Sequence, residues 1–502
     1  MVGVGLFSFV TMDLQTLLFL LLLVMVIVLV VRQRRRRLNL PPGPRGFPIV
    51  GNLFSMRPSK LLANMAAWRQ QYGDVYSLRL LNRIVVVLYG HKPIHDALVK
   101  QADIFSDRPP IRILRRDPGL VMARYGEHWA ERRRFALSAL RQFGMGRRSA
   151  EGRIREEAAA LCTAIRSLDG AQRDISHLLG NAVSNIICSM SFGNRFEYDD
   201  AEFKRLSHAF AYLVGSNNRS ILALVRQFIM PYLRKLPMMG NWRSYGIKQN
   251  DYVIDFIMKS AKEHKETFDK SDIRDIIDVF LSEGDGSEKG NGVNEEALGT
   301  IIRDLFIAGS ETTATTLRWG LLYTALNPDV QTKVQEEIDR EFASHAPPWS
   351  ERGRLPYTEA TIMEIQRIRP IVPLNIFHGN TSATTLYGYD IPAGTYIIPS
   401  LWSAMMDPKV TPEPEEFRPE RFLDDEGKVV KPEWFLPFSA GRRRCLGEQL
   451  AKMELFLFYT SLLQHFTFKL PDGAPAPPMD GSLGFVLSPP AYDICAVPRH
   501  SS

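Results

Sequence analysis

Ten residues, Phe438-Ser-Ala-Gly-Arg-Arg-Arg-Cys-Leu-Gly447, restrict this chain more than any other stretch. A cysteine follows three arginines, lies between Gly441 and Gly447, and leads into an amphipathic helical pattern from Glu448 to His465. Neighbouring cations and a helix N-terminus both lower the cost of a thiolate. Glycines permit tight turns and the close approach of a flat ligand. Cys445 therefore reads as a thiolate held for a metal. It also reads as a buried structural thiol beside a solvated basic patch, which is the commoner outcome for a lone cysteine in a basic loop.

A second stretch bears on the choice. Asn294 can cap a helix whose Glu295 and Glu296 suit its positive end. The helical pattern then runs unbroken to Asn327-Pro328, about 50 Å at 1.5 Å per residue. In its middle, Ala308 and Thr312 of Ala308-Gly-Ser-Glu-Thr-Thr313 share a face, where small side chains admit a flat cofactor. Gly309 beside hydroxyl residues also favours a local bulge. A kinked core helix with small packing residues explains this segment equally well on its own.

Together the motifs resemble a known family. Phe438, Gly441, Arg443, Cys445 and Gly447 fill the F-x-x-G-x-R-x-C-x-G signature of the cytochrome P-450 superfamily, and Ala308 to Thr312 fill its A-G-x-E-T signature. Glu364-Ile-Gln-Arg367 and Pro419-Glu-Arg421-Phe422 match its E-x-x-R and P-x-R-F pair. The resemblance runs from Pro41 onward and is nearest to microsomal family 2. Pro356 to Glu364 and Glu448 to Leu455 resemble the U subfamily. It implies haem b with Cys445 as the axial iron ligand, Thr312 as partner of bound oxygen, and Glu311 as proton relay. It also implies a structural triad of Glu364, Arg367 and Arg421. Haem contacts carried over are Arg108, Trp129, Arg133, Ala308, His378, Phe438 and Arg443. Thr411 and Met405-Met406 depart from the family's usual residues, and so does Phe377 beside His378.

The chain has 502 residues, 45% of them hydrophobic, which is ample for a large core. Its four cysteines, Cys162, Cys188, Cys445 and Cys495, show no C-x-x-C spacing, so neither zinc nor a disulfide framework is indicated. Cys162, Cys188 and Cys495 read as inert core thiols. A net charge of +7 without any nucleic-acid motif points to an anionic membrane or an acidic protein. Residues 14–31 carry no charge and are long enough to span a bilayer as a helix. Five arginines follow at 32–37, placing what comes after them in the cytosol. The expected organisation is a lumenal 1–13, an anchor at 14–31, a basic stop and Pro-rich hinge at 32–50, and a catalytic domain at 51–502. The resemblance places such a protein in the endoplasmic reticulum membrane.

Helical periodicity dominates the globule, with a helix at Leu61 to Tyr72 and hairpins at Val75 to Leu88 and Thr385 to Pro399, the latter turning near Pro392-Ala-Gly394. The expected fold is mainly α with a small β portion. A flexible loop is expected at Gly284 to Gly292. Substrate is expected between the Ile302 to Thr312 helix and loops at Ile111 to Val121, Val372 to Leu374 and Leu483 to Val486, with Phe210 and Tyr212 on a roof helix. Asp304 reads either as facing that cavity, to meet a basic substrate, or as turned into a helix contact. Arg132, Arg134, Arg442 and Arg444 read as a docking face for an acidic flavoprotein, the NADPH–haemoprotein reductase, with cytochrome b5 as a second donor. The chain has no nucleotide-binding glycine loop of its own, so its electrons come from another protein. The reading that follows is a monooxygenase for a fatty acid, steroid or foreign lipophile. Its rivals are a haem-thiolate isomerase or dehydratase of lipid peroxides, and a non-enzymatic haem sensor.

Overall fold

The computed structural model describes residues 14–35, 38–109, 117–143, 148–214, 240–284, 293–343 and 345–499. The expected lumenal segment 1–13, the part of the substrate loop at 111–116 and the loop at 285–292 lie outside them. Helices dominate: α1 Leu14–Arg35, α2 Pro58–Tyr72, α3 Glu127–Gln142, α4 Arg148–Arg166, α5 Ser176–Ser191 and α6 Ala201–Val214. They continue with α7 Gly240–Thr267, α8 Ile276–Glu283, α9 Glu295–Leu326, α10 Pro328–Phe342, α11 Pro356–Ile368 and α12 Glu448–His465.

The strands are short: β1 Val75–Leu80, β2 Arg83–Tyr89, β3 His378–Gly379, β4 Thr384–Leu386, β5 Tyr389–Ile391, β6 Tyr396–Ser400, β7 Phe466–Lys469, β8 Ser482–Leu483, β9 Leu487–Ser488 and β10 Cys495–Pro498. One sheet has the order β1-β2-β6-β3, and the other strands form two-stranded ribbons. The first hairpin stands as expected, turning after Leu80 with Leu81 in the left-handed region (φ 54°). The second does not. Its strands are β4 and β5, joined through Tyr387 and Gly388, both at positive φ. The residues after Gly394 form β6, which runs parallel to β2. The Tyr387-Gly388 pair twists like the strands it joins, whereas Pro392-Ala-Gly394 only leads the chain back to the main sheet.

Helix α9 is the axis of the molecule. Asn294 caps it by accepting the N–H of Ala297 at 2.9 Å. It packs on α5, α7, α11 and α12. Gly309 is needed for that packing, since a Cβ there would lie 2.5 Å from Ile187 Cδ1 of α5. The helix is continuous through Gly309, so the expected bulge is replaced by a close helix–helix approach. Helix α12 is not amphipathic as its pattern suggested. Met453 to Leu463 are all buried, because α4, α9, α10 and α11 enclose it.

Helix α1 spans 22 residues and continues past Val31 to Arg35. Its side chains from Leu18 to Ile27 are exposed. Among the fully described residues no helix is long and apolar enough to cross a membrane. The Pro-rich segment is docked onto the globule. Ser77 donates its N–H to Pro42 O and its hydroxyl to Pro41 O, both at 2.7 Å. Asn39 and Asp390 exchange hydrogen bonds at 2.7 and 2.8 Å.

Candidate active site

The Cys445 loop is shaped by its backbone. Cys445 N–H donates to Phe438 O at 3.0 Å, closing the loop around a 3-10 turn, Gly441–Arg443. Gly441 takes φ 73°, and a Cβ on it would stand 1.9 Å from Leu98 O, so only glycine fits. Asn375 donates to Ser439 Oγ at 2.8 Å and ties the loop to the β3 side. The Cys445 thiol is reachable by solvent yet sits deep among protein atoms, as at the floor of a concavity. Burial pushes the thiol up; the Gly447 N–H, Arg133 and Arg444 favour the thiolate, and Glu448 opposes it. The three preceding arginines thus help less than their number suggests. Arg442 is drawn off to Asp103, and Arg443 turns inward. A bound metal cation is what deprotonates such a thiol outright.

Opposite in sequence, the middle of α9 opens. Ala308 is exposed although Phe306 and Thr313 on the same helix are buried, and residues 309–312 are half-buried. A helix otherwise enclosed is therefore bare where the small residues stand. Thr312 Oγ1 donates to Ala308 O at 2.7 Å. Burial raises Glu311 above the ordinary carboxylate range, countered in part by Arg318 and by a 3.3 Å hydrogen bond from Thr315. Glu311 is therefore a carboxyl that holds its proton more readily than a surface glutamate.

Cations gather around one indole. Arg443 lies 4.2 Å and Arg133 5.6 Å from the Trp129 ring centroid. Arg443 donates to Ser106 O and Ala123 O, Arg133 to Arg444 O, and Arg108 to Val121, Ile376 and Phe377 carbonyls. Burial lowers all three guanidiniums, Arg443 to about 10, and Arg443 also presses on Arg108. The carboxylate near them, Asp107, is committed to Arg124 and the Tyr125 N–H. His378 is 1% exposed. Its Nδ1 faces Phe105 O at 2.7 Å and so carries the proton. Its Nε2 has no partner among the described residues. Burial first, then Arg108 and Arg443, keep the ring neutral. Two buried guanidiniums, Arg108 and Arg443, with the half-buried Arg133 beside them, call for an anionic group with two or more oxygens; such a group would also draw a proton onto His378 Nε2, which would then donate to it.

A haem fits that demand: its carboxylates would meet Arg108, Trp129, Arg133, His378 and Arg443, and its iron the Cys445 thiolate. Phe438 stands at the loop's start, and Ala308 at the bare stretch of α9.

Other expected residues fall into place or move. Arg367 grips both oxygens of Glu364 at 2.6 and 2.7 Å, and Arg421 approaches at 3.4 Å, forming the buried triad. Arg367 Nη1 also meets the Met406 sulfur at 3.2 Å. Asp304 is turned inward. It accepts the N–H groups of Leu120 and Val121 at 2.8 and 2.9 Å and pairs with Arg303 at 2.7 Å. It latches the Leu120–Val121 backbone onto α9 and has no oxygen left for a basic substrate. Phe210, expected on a roof helix, stacks on Phe306 of α9 with centroids 3.9 Å apart, while Tyr212 packs edge-on against Tyr245.

Arg132 is not on the docking face. It forms a two-pronged pair with Asp117 at 2.5 and 2.6 Å and also bonds Gly119 O. Arg134 is exposed. Arg442 and Arg444 are half-exposed, paired with Asp103 and Glu448. Glu448 also meets Lys452 and Lys431, two cations the sequence reading passed over, although the Arg444, Glu448, Lys452 spacing of four was visible. Burial raises Cys162 to about 12 and raises Cys188 also, as inert thiols require, but Cys495 is only partly buried, on an edge ribbon.

A deep thiol loop, a bare mid-helix with an acid and a hydroxyl, and a buried cation cluster define a haem-thiolate protein. The chain belongs to the cytochrome P450 family, whose family model, described as Cytochrome P450, matches residues 41–496. It is 41% identical over 480 residues to Cytochrome P450 2U1 of Mus musculus, covering 91% of this chain and 90% of that one. It is also 41% identical to Cytochrome P450 2D6 of Homo sapiens over 476 residues, covering 91% and 93%. Vitamin D(3) 25-hydroxylase of Sus scrofa matches at 41% over 473 residues, covering 91% and 93%. The likeness places it in family 2, with the U subfamily among its relatives, as a haem-thiolate monooxygenase.

Proposed function

We propose that the protein is a membrane-anchored monooxygenase of a neutral or anionic lipophile, carrying haem b on Cys445. When bound, the haem supplies oxygen activation and attack on C–H bonds. The chain's own residues do the rest. Gly447 N–H, Arg133 and Arg444 stabilise the thiolate, while Arg108, Trp129, Arg133, His378 and Arg443 hold the carboxylates. Thr312 offers a hydroxyl on the bare face of α9, and Glu311, a carboxyl whose burial makes it take up a proton more readily, stands one residue away as the relay, so that proton delivery competes with peroxide release. Glu364, Arg367 and Arg421 are structural.

The observation that carries this reading is the bare, hydroxyl-bearing stretch of α9 together with Arg108, Arg133 and Arg443 around Trp129, which donate to backbone carbonyls and not to a carboxylate. Asp304 speaks for the substrate class: with its oxygens engaged by two N–H groups and Arg303, it supports no amine anchor. Relatives named a vitamin D(3) hydroxylase and a 2U1 enzyme favour steroid-like or fatty-acid substrates as the first to try. Electrons come from NADPH–haemoprotein reductase, with cytochrome b5 as a second donor, docked near Arg134, Arg442, Arg444, Lys431 and Lys452. Helix α1 is read as a single membrane span with the globule in the cytosol, on the endoplasmic reticulum. Eighteen uncharged residues from Leu14 to Val31 and the following arginines support this, as does a cluster of exposed apolar groups, Leu38, Phe47, Ile49 and Phe54, close after the helix.

The test is turnover of a fatty-acid and steroid panel with reductase, NADPH and O2. Product tied to NADPH and O2 consumption supports the reading. Rearranged lipid peroxide formed without either would overturn it in favour of an isomerase.

A further inference from the structure

Helix α12 carries a carboxyl group with no part in the site described so far. Glu454 is 1% exposed. Its Oε2 accepts the Thr313 hydroxyl at 3.0 Å. Its Oε1 is buried without a partner among the described residues. Thr313 directly follows Thr312, and α12 begins just beyond Cys445. Two side-chain hydrogen bonds join the helix that leaves the thiolate loop to the helix that bears Glu311 and Thr312: Thr324 with Tyr459 at 2.7 Å, three turns further along α9, and this one, beside Thr312 itself.

No charge answers this group. Only burial and the Thr313 hydroxyl act on its ionisation, and on the helices packed against α12, which are α4, α9, α10 and α11, four acids are engaged elsewhere. Glu157 of α4 meets Arg195, Glu311 of α9 meets Thr315, Glu337 of α10 meets Thr358, and Glu364 of α11 meets Arg367. An unpaired carboxylate in such surroundings is far costlier than the neutral acid. Burial accordingly pushes Glu454 up to about 8, with the Thr313 bond drawing it back only in part.

We infer that Glu454 is a positioning residue: by accepting the Thr313 hydroxyl it sets α9 against α12, and so places Glu311 and Thr312 over the Cys445 loop. The inference rests on the proton-delivery roles proposed for Glu311 and Thr312. Below pH 8 the acid is neutral and the contact holds. Above it, the carboxylate accepts the Thr313 hydroxyl more strongly, but as a buried charge without a cation it draws water between α9 and α12, and that hydration loosens their setting. Because the folded value lies above the unfolded 4.5, this group favours folding most below pH 4.5, and the contribution falls as pH rises toward 8.

The experiment uses the full-length holoenzyme with reductase, measuring peroxide released per NADPH oxidised from pH 6.5 to 9, with Tm on the same samples. For the wild-type chain Tm should fall relative to E454Q from pH 6.5 to about 8 and level off above it, while the peroxide fraction rises as pH passes 8. E454Q keeps the acceptor and cannot ionise, so it should match wild type at pH 7 and stay flat with pH in both readouts. T313V, which leaves Glu454 untouched, and E454L should raise the peroxide fraction about threefold or more even at pH 7. Wild-type coupling in T313V would overturn the inference, as would E454Q behaving like E454L, which would make Glu454 a proton carrier. If E454L does not take up haem, T313V and E454Q decide. T312A separates the two layers: if it fails to raise peroxide, the role given to Thr312 falls, whereas a normal T312A response with a silent T313V removes only the positioning role.

Discussion

At the scale of single residues, the site is a matter of which polar atoms are already engaged. Asp304 illustrates it. From sequence it could face the cavity or a helix contact with equal ease, because a carboxylate on a helix face says nothing of what lies above it. The backbone N–H groups of Leu120 and Val121 settle its direction. Asp304→Ala should free that loop and leave Arg303 unpaired, costing about 3–5 kcal/mol, the usual loss on breaking a buried ion pair. Thermal unfolding checks this, and a variant as stable as wild type would contradict it. Arg134 makes a cleaner surface test. Arg134→Glu should slow reductase-supported turnover several-fold, more at low salt, and spare peroxide-supported turnover. Equal loss in both assays would remove Arg134 from the docking face. Arg132 had the same sequence claim as Arg134 but is spent on Asp117, since helical spacing gives a residue's face and not its partner.

At the scale of elements, the sequence was most readable where a local rule fixes the outcome. Asn294 caps α9 as its chemistry predicts, and Leu81 turns the first hairpin. Where non-local packing decides, the sequence misled. Gly309 looked like a bulge but serves the approach of Ile187, and α12 looked amphipathic but is enclosed from Met453 to Leu463. The ligand loop obeys both levels. Its glycine pattern was visible, but that Gly441 must clear Leu98 O was not. Gly441→Ala should cost about 1–3 kcal/mol for the left-handed backbone alone, with the clash added. Reduced haem retention on a desalting column would show it, and a variant that keeps haem like wild type would contradict it.

At the scale of the whole molecule, charge and apolarity are divided between a basic cysteine face and an apolar N-terminal helix. The apolar helix α1 was legible as composition; the docking of the Pro-rich segment onto β1 and the β4–β5 hairpin was not, because it depends on partners such as Asn39 and Asp390, 351 residues apart. Placing two glutamates in α1, Leu21→Glu with Val24→Glu, should release the protein from membranes into alkaline carbonate, whereas the unaltered chain should stay in the pellet. Release of both would contradict the anchor. The central claim, that Cys445 binds haem iron as a thiolate, is tested most directly by the carbon monoxide difference spectrum of the reduced protein. The account predicts a strongly red-shifted Soret band. A band at the position of histidine-ligated or thiol-ligated haem would contradict it.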